Sequence, residues 1–152
     1  MHRCPRCDST LTRQTRFDIE MAVCPKGCGT EVPMSRLIPL LQAVGKELFS
    51  GLDAETEIEG IADPGAGAKC PGCRKEMAHF GYMGTRLVHL DRCSRCSKLW
   101  INTDALAVMA ALSVRTSQRK SNRHRLTEEH MIGMDRRFRA IMAARMVERA
   151  LL

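Results

Sequence analysis

The chain has 152 residues, of which 27 % are charged and 44 % hydrophobic, and a formal net charge of +7. That is room for one ordinary domain or two very small ones, and the composition excludes a disordered tail as well as a membrane-spanning helix, since no apolar run approaches the ~20 residues that a bilayer requires. Aromatic residues make up only 4 %, so a dense single core is hard to build, and the eight cysteines are the candidates for what replaces it.

In chain order the first feature is Cys4-Pro-Arg-Cys7; no apolar segment stands ahead of it, so no signal peptide is expected. Phe17, Ile19, Met21 and Val23 alternate with Asp18, Glu20 and Ala22, which predicts a strand running into Cys24-Pro-Lys-Gly-Cys28. A helix should follow, with Ser35 as N-cap, Leu37, Leu41, Val44 and Leu48 at helical spacing, and Gly51 as the stop. Asp53, Glu55, Glu57, Glu59 and Asp63 then lead into Pro64-Gly-Ala-Gly-Ala68, which reads as an acidic, flexible linker.

The second half repeats the plan. Cys70-Pro-Gly-Cys73 precedes a strand near 76–82, a turn at Met83-Gly84, a strand near 85–91 and Cys93-Ser-Arg-Cys96. Val88 and Leu90 stand five and three residues before Cys93, as Ile19 and Met21 do before Cys24. Asn102 or Thr103 can cap a helix carrying Leu106, Met109, Ala110 and Leu112. Beyond an Arg-rich stretch, Thr127-Glu128-Glu129 reads as another helix start, with acids at the positive end of the dipole. Met131, Met134, Phe138, Ile141, Met142 and Met146 would form its apolar face.

The cysteine spacing carries the chemistry. Gaps of two or three residues let both sulfurs of a pair face one centre, and the 16 or 19 residues between pairs form a hairpin that brings the second pair back. Cys4, Cys7, Cys24 and Cys28 would close one tetrahedral site, and Cys70, Cys73, Cys93 and Cys96 another, as in structural zinc. Two structural Zn²⁺ ions are therefore expected. At ~10–16 kcal/mol of apparent binding energy each, they take over the stabilising role of a large core. Four thiolates leave no position for water, and no ninth cysteine remains as a nucleophile, so the chain is read as non-enzymatic. None of the five histidines is assigned a ligand role; His79 and His89 could face each other in the second hairpin, but four cysteines already complete that site.

A cysteine pair, a short hairpin, a second pair and then a helix resembles the TFIIB-type zinc ribbon family (zf-TFIIB), here in two tandem copies over roughly 1–50 and 70–113. The second half matches best, through Cys70-Pro-Gly-Cys73, Met77, Cys93-Ser-Arg-Cys96, Trp100-Ile101-Asn102 and Leu106; Ser97 and Lys98 replace the family's two glycines and Asn102 its Asp. The first half keeps Cys4-Pro-Arg-Cys7, Leu11, Cys24-Pro and Gly29, with Val32 in place of Trp and one extra residue in the second pair. The resemblance implies the fold and the metal, and a module that binds proteins or nucleic acids.

Charge separates the body from the tail. Residues 1–112 hold 14 Lys+Arg against 13 Asp+Glu, and each zinc with four thiolates adds −2, whereas residues 113–152 hold 10 against 4. Arg6, Lys26, Arg95 and Lys98 beside the cysteines are read as offsetting the metal centres. Arg115, Arg119, Lys120, Arg123 and Arg125 place five cations and no anion in eleven residues; they could track phosphates, though no aromatic is interleaved to stack on bases.

The expected architecture is thus α+β: a zinc ribbon with helix (1–50), an acidic linker (51–69), a second ribbon with helix (70–114), an Arg-rich linker (115–126) and a C-terminal amphipathic helix (127–152). The leading functional expectation is a cytoplasmic zinc-binding adaptor or regulatory protein that works through protein–protein contacts, with Met131, Met134, Phe138, Ile141 and Met142 docking a partner or a second copy. The alternative is a nucleic-acid-binding regulator using the Arg-rich segment. A rubredoxin-like redox protein, with iron in the same four-thiolate geometry, ranks third.

Overall fold

The computed structural model describes the backbone of residues 1–150 and the side chains of residues 1–130 and 132. Six strands form one antiparallel sheet: β1 (Thr12–Arg16), β2 (Ile19–Val23), β3 (Gly29–Pro33), β4 (Ala78–Gly81), β5 (His89–Cys93) and β6 (Lys98–Asn102). Two helices accompany it, α1 (Leu37–Leu48) and α2 (Thr103–Ala150). The strand order is β1-β2-β3-β6-β5-β4, so each half of the chain supplies three consecutive strands and the halves meet where β3 pairs with β6. Five residues of each strand are in register along this seam, from Gly29 opposite Asn102 to Pro33 opposite Lys98. Met34 N donates to Ser97 O at 2.9 Å at one end, and Thr103 Oγ1 donates to Gly27 O at 2.6 Å at the other. In a lone three-stranded ribbon β3 and β6 would each expose an unpaired edge; pairing them satisfies both.

The period-2 pattern gives the sheet two buried faces of different character. Ile19 and Met21, Val32, Leu90, and Leu99 and Ile101 lie on one face and pack with Leu40, Leu41 and Val44 of α1 and Ala105, Met109 and Leu112 of α2. The opposite face holds a second cluster, in which Leu11, Met77 and Trp100 pack among Cys4, Cys24, Cys70 and Cys93. Trp100, the only tryptophan, is fully buried there and donates from Nε1 to Asn102 Oδ1 at 3.2 Å.

α1 starts without a side-chain cap: a 3₁₀ turn over Met34–Arg36 feeds it, and Ser35 does not serve as N-cap. Pro39 is tolerated because it falls in the first turn, where the missing N–H has no partner to lose. Helix α2 differs most from expectation. It runs unbroken through 115–126, where a linker was expected, and Thr127 lies inside it, its hydroxyl donating to Arg123 O at 2.9 Å instead of capping a new helix.

Residues 51–69 have no regular secondary structure, yet they are not a free spacer. Ala54 and Ala68 are buried, Ile58 and Ile61 pack on the helix-side core, and Ile61 N donates to Leu87 O at 2.8 Å. Gly60 is needed here, since a Cβ would lie 2.9 Å from both Leu87 Cα and Leu87 O. Met1–Arg115 form one compact unit and Thr116–Leu152 a second. No helix among the described residues is long and apolar enough to cross a membrane.

Candidate metal centres

The four cysteines of each half are brought together as their spacing predicts. One sulfur from each of Cys4, Cys7, Cys24 and Cys28 lies within 4.8 Å of the others, and the same holds for Cys70, Cys73, Cys93 and Cys96. The two knuckles that begin each half share one turn. Asp8 N donates to Cys4 O at 3.0 Å and Cys4 N to Ser9 O at 2.9 Å; Arg74 N donates to Cys70 O at 2.9 Å and Cys70 N to Lys75 O at 2.8 Å. Each turn is closed by a residue with positive φ, Asp8 at 58° and Arg74 at 62°. The three-residue gap of the first half's second pair is absorbed at Gly27, whose φ of 76° suits glycine.

None of the eight cysteines is in a disulfide. Cys7 and Cys24 Sγ are 3.5 Å apart, as are Cys73 and Cys93 Sγ. A disulfide requires about 2.05 Å, whereas a tetrahedral ion with metal–sulfur bonds of about 2.3 Å puts its sulfurs about 3.8 Å apart. The clusters therefore suit a metal and not bridges. Backbone N–H groups of Arg6 and Cys96 donate to Cys4 Sγ and Cys93 Sγ, each at 3.4 Å, which stabilises thiolate charge.

The sulfurs crowd one another electrostatically. Burial and the neighbouring sulfurs push Cys28 up to about 12, and burial pushes Cys70 up to about 12. Hydrogen bonding to Ser9 lowers Cys7 to about 6, and the Lys75 backbone N–H lowers Cys73 to about 7. Four thiolates cannot share such a space without a compensating cation, and a divalent ion supplies it. Each cluster could thus hold one metal ion. With four sulfur ligands such an ion has no coordination position left for substrate.

No family model matches the chain, and no curated protein or solved structure matches it either.

Between the clusters a row of side chains crosses the sheet: Ala22, Glu31, Trp100, Asp91 and His79 are successive cross-strand partners. Glu31 and Asp91 are buried on either side of Trp100, at 3 % and 1 % exposure. Lys98 and His2 pair with Glu31, His2 Nδ1 at 2.8 Å. Arg6 and His79 pair with Asp91, at 3.5 and 2.7 Å. Lys98 thus reaches from the second half to the first, and Arg6 from the first to the second. Beyond standing beside the knuckles, each is thus ion-paired with a buried carboxylate of the opposite half. Lys26 and Arg95 remain exposed beside the knuckles.

The Arg-rich set is divided. Arg115 is half-buried and donates to Thr56 O at 3.3 Å, so it is engaged within the body. Arg119, Lys120, Arg123 and Arg125 are exposed on α2; helical geometry puts Arg119 and Arg123 on one side and turns Arg125 well around the helix from them. The side chains of Met131, Met134, Phe138, Ile141 and Met142 lie outside those described.

The linear pattern did not reveal that Asp63 of the connecting segment meets His79 and His89. Only the tertiary placement of residues 51–69 could show it.

Proposed function

We propose that the chain is a zinc-binding adaptor or regulatory protein without catalytic activity, built on two TFIIB-type zinc ribbons. The observation that carries this reading is the pair of Cys4 clusters held by matching knuckle turns on one sheet face. Zinc is the ion that four thiolates in a tetrahedron favour when no redox chemistry is required. Its work is structural: it fixes the knuckles, which with Trp100 make the second core. Thiols kept for metal fit the reducing cytoplasm. In this reading the partner is a protein, or a second copy, docked by the C-terminal stretch of α2.

The exposed positions of Lys120, Arg123 and Arg125 favour one second reading, a regulator that contacts nucleic-acid phosphates. Titrating full-length protein with duplex DNA at several salt concentrations separates the two. The adaptor reading expects no binding at physiological salt. Binding with a log–log salt slope of about −4, lost on replacing Arg119, Lys120, Arg123 and Arg125 together by Ala, would replace it with the nucleic-acid reading.

A further inference from the structure

Beside the Cys4 clusters, the same sheet face carries a third convergence of ligand-type side chains. His79 lies opposite Asp91 and His89 opposite Gly81, so the two histidines are diagonal neighbours on one face of the β4–β5 hairpin. Their rings stack, with centroids 5.1 Å apart and planes 9° from parallel. Asp63 closes over both: Oδ1 is 2.8 Å from His79 Nε2, and Oδ2 is 3.6 Å from His89 Nε2. One donor atom from each residue lies within 4.8 Å of the other two.

We propose that Asp63, His79 and His89 form a third metal site, which takes an exchangeable divalent ion of the late first transition row, such as zinc. Two imidazoles and a carboxylate are the ligands such ions prefer. Three protein ligands leave one position for water, and the Asp63 side chain is half-exposed, so an ion can enter and leave. The Cys4 centres, with four largely sheltered sulfurs, differ on both counts.

The surroundings of His79 match a metal-bound imidazole. Asp91 Oδ1 accepts from His79 Nδ1 at 2.7 Å, and this turns Nε2 toward Asp63 and His89. Asp91 is itself buried and braced by Arg6. A carboxylate that holds the distal nitrogen of a ligating histidine is the usual outer support of such a site. The Gly65 N–H donates to Asp63 Oδ1 at 2.8 Å and fixes the carboxylate in place.

His89 decides between a metal site and a plain ion pair. A carboxylate bridge between Asp63 and Asp91 needs His79 alone. Yet His89 is also held in place, its side chain 15 % exposed and its Nε2 ion-paired with Asp63 at 3.6 Å. The 3.6 Å approach to Asp63 is too long for a hydrogen bond, so Nε2 faces the carboxylate without bonding it directly. An ion set between the two Nε2 atoms and Asp63 would take His89 Nε2 as a ligand and accounts for the stacking of His89 on His79. Because Asp63 comes from the segment joining the halves, the ion also fastens that segment to the hairpin.

The test is native mass spectrometry of the full chain carrying its two tightly held ions, titrated with ZnCl2. The expected result is a third equivalent that dialysis removes, bound at least tenfold more weakly by His89→Ala and by Asp63→Asn while both variants keep the first two ions. Absence of a third equivalent, or undiminished binding by both variants, overturns the proposal. If His89→Ala fails to fold, Asp63→Asn decides, because Asp63 is outside the sheet. Co²⁺ added to the two-zinc protein gives a second readout. Visible d–d absorption without thiolate charge transfer, lost in Asp63→Asn, is expected; thiolate charge transfer alone would place the ion at cysteine and overturn the assignment.

Discussion

Gly29→Ala tests whether the two halves are joined as one sheet. Gly29 sits at the end of the β3–β6 seam, directly after Cys28 and opposite Asn102. A Cβ added there would lie 2.4 Å from Ile101 O, 2.9 Å from Trp100 Cζ2 and 3.0 Å from Asn102 Cα, where real Cβ contacts stay beyond 3.0 Å. Two of these neighbours are backbone of β6, so neither can swing away as a side-chain tip would. Relieving the contact requires the seam to open by about 1 Å at this end, an overpacking cost in the upper part of its usual range, about 3 kcal/mol. For a body of this size that lowers the melting temperature by roughly 10 °C. The assay is thermal unfolding at fixed excess zinc, because metal concentration alone shifts the apparent stability. Gly51→Ala is the control, since nothing lies within 4 Å of a Cβ there. Were the Gly29 variant to melt within about 1 °C of the control, a deviation far below the seam cost, the β3–β6 pairing would be refuted.

Trp100→Ala should cost about 3–5 kcal/mol and weaken zinc retention at both centres, because the indole packs among cysteines of both; chemical denaturation and metal content check it. Glu31→Gln leaves Lys98 and His2 facing a buried neutral amide, for about 1–3 kcal/mol, and adding Lys98→Met should recover part of the loss in a double-mutant cycle. Limited proteolysis should spare residues 51–69 at protease levels that cut a free linker, since Ile61, Ala54 and Asp63 are tied to the body; rapid cutting there would contradict the packing described.

The parts of the fold that local pattern determines were legible. The cysteine spacing placed both clusters, the alternation of Ile19, Met21 and Val23 gave β2, and Leu37, Leu41, Val44 and Leu48 gave α1. The β3–β6 pairing was not legible, because Gly-Thr-Glu-Val-Pro and Lys-Leu-Trp-Ile-Asn are unremarkable strands until each is the other's partner. The continuity of α2 had a signal that charge obscured: no Gly or Pro stands between Gly84 and Gly133, and Arg, Lys and Gln are good helix formers. The acidic segment at 53–63 misled by composition. Its carboxylates suggested a solvated spacer, while Ile58 and Ile61 between them anchor it. For the same reason the approach of Asp63 to His79 and His89 has no signal in the local pattern.

The most direct test of the account is the metal content of the purified, dialysed protein, by native and then denaturing mass spectrometry. Two zinc ions per folded chain, and eight free thiols once it is unfolded, are expected from the two Cys4 clusters. A metal-free folded chain, or one lighter by two hydrogens for each bridge formed, would contradict it.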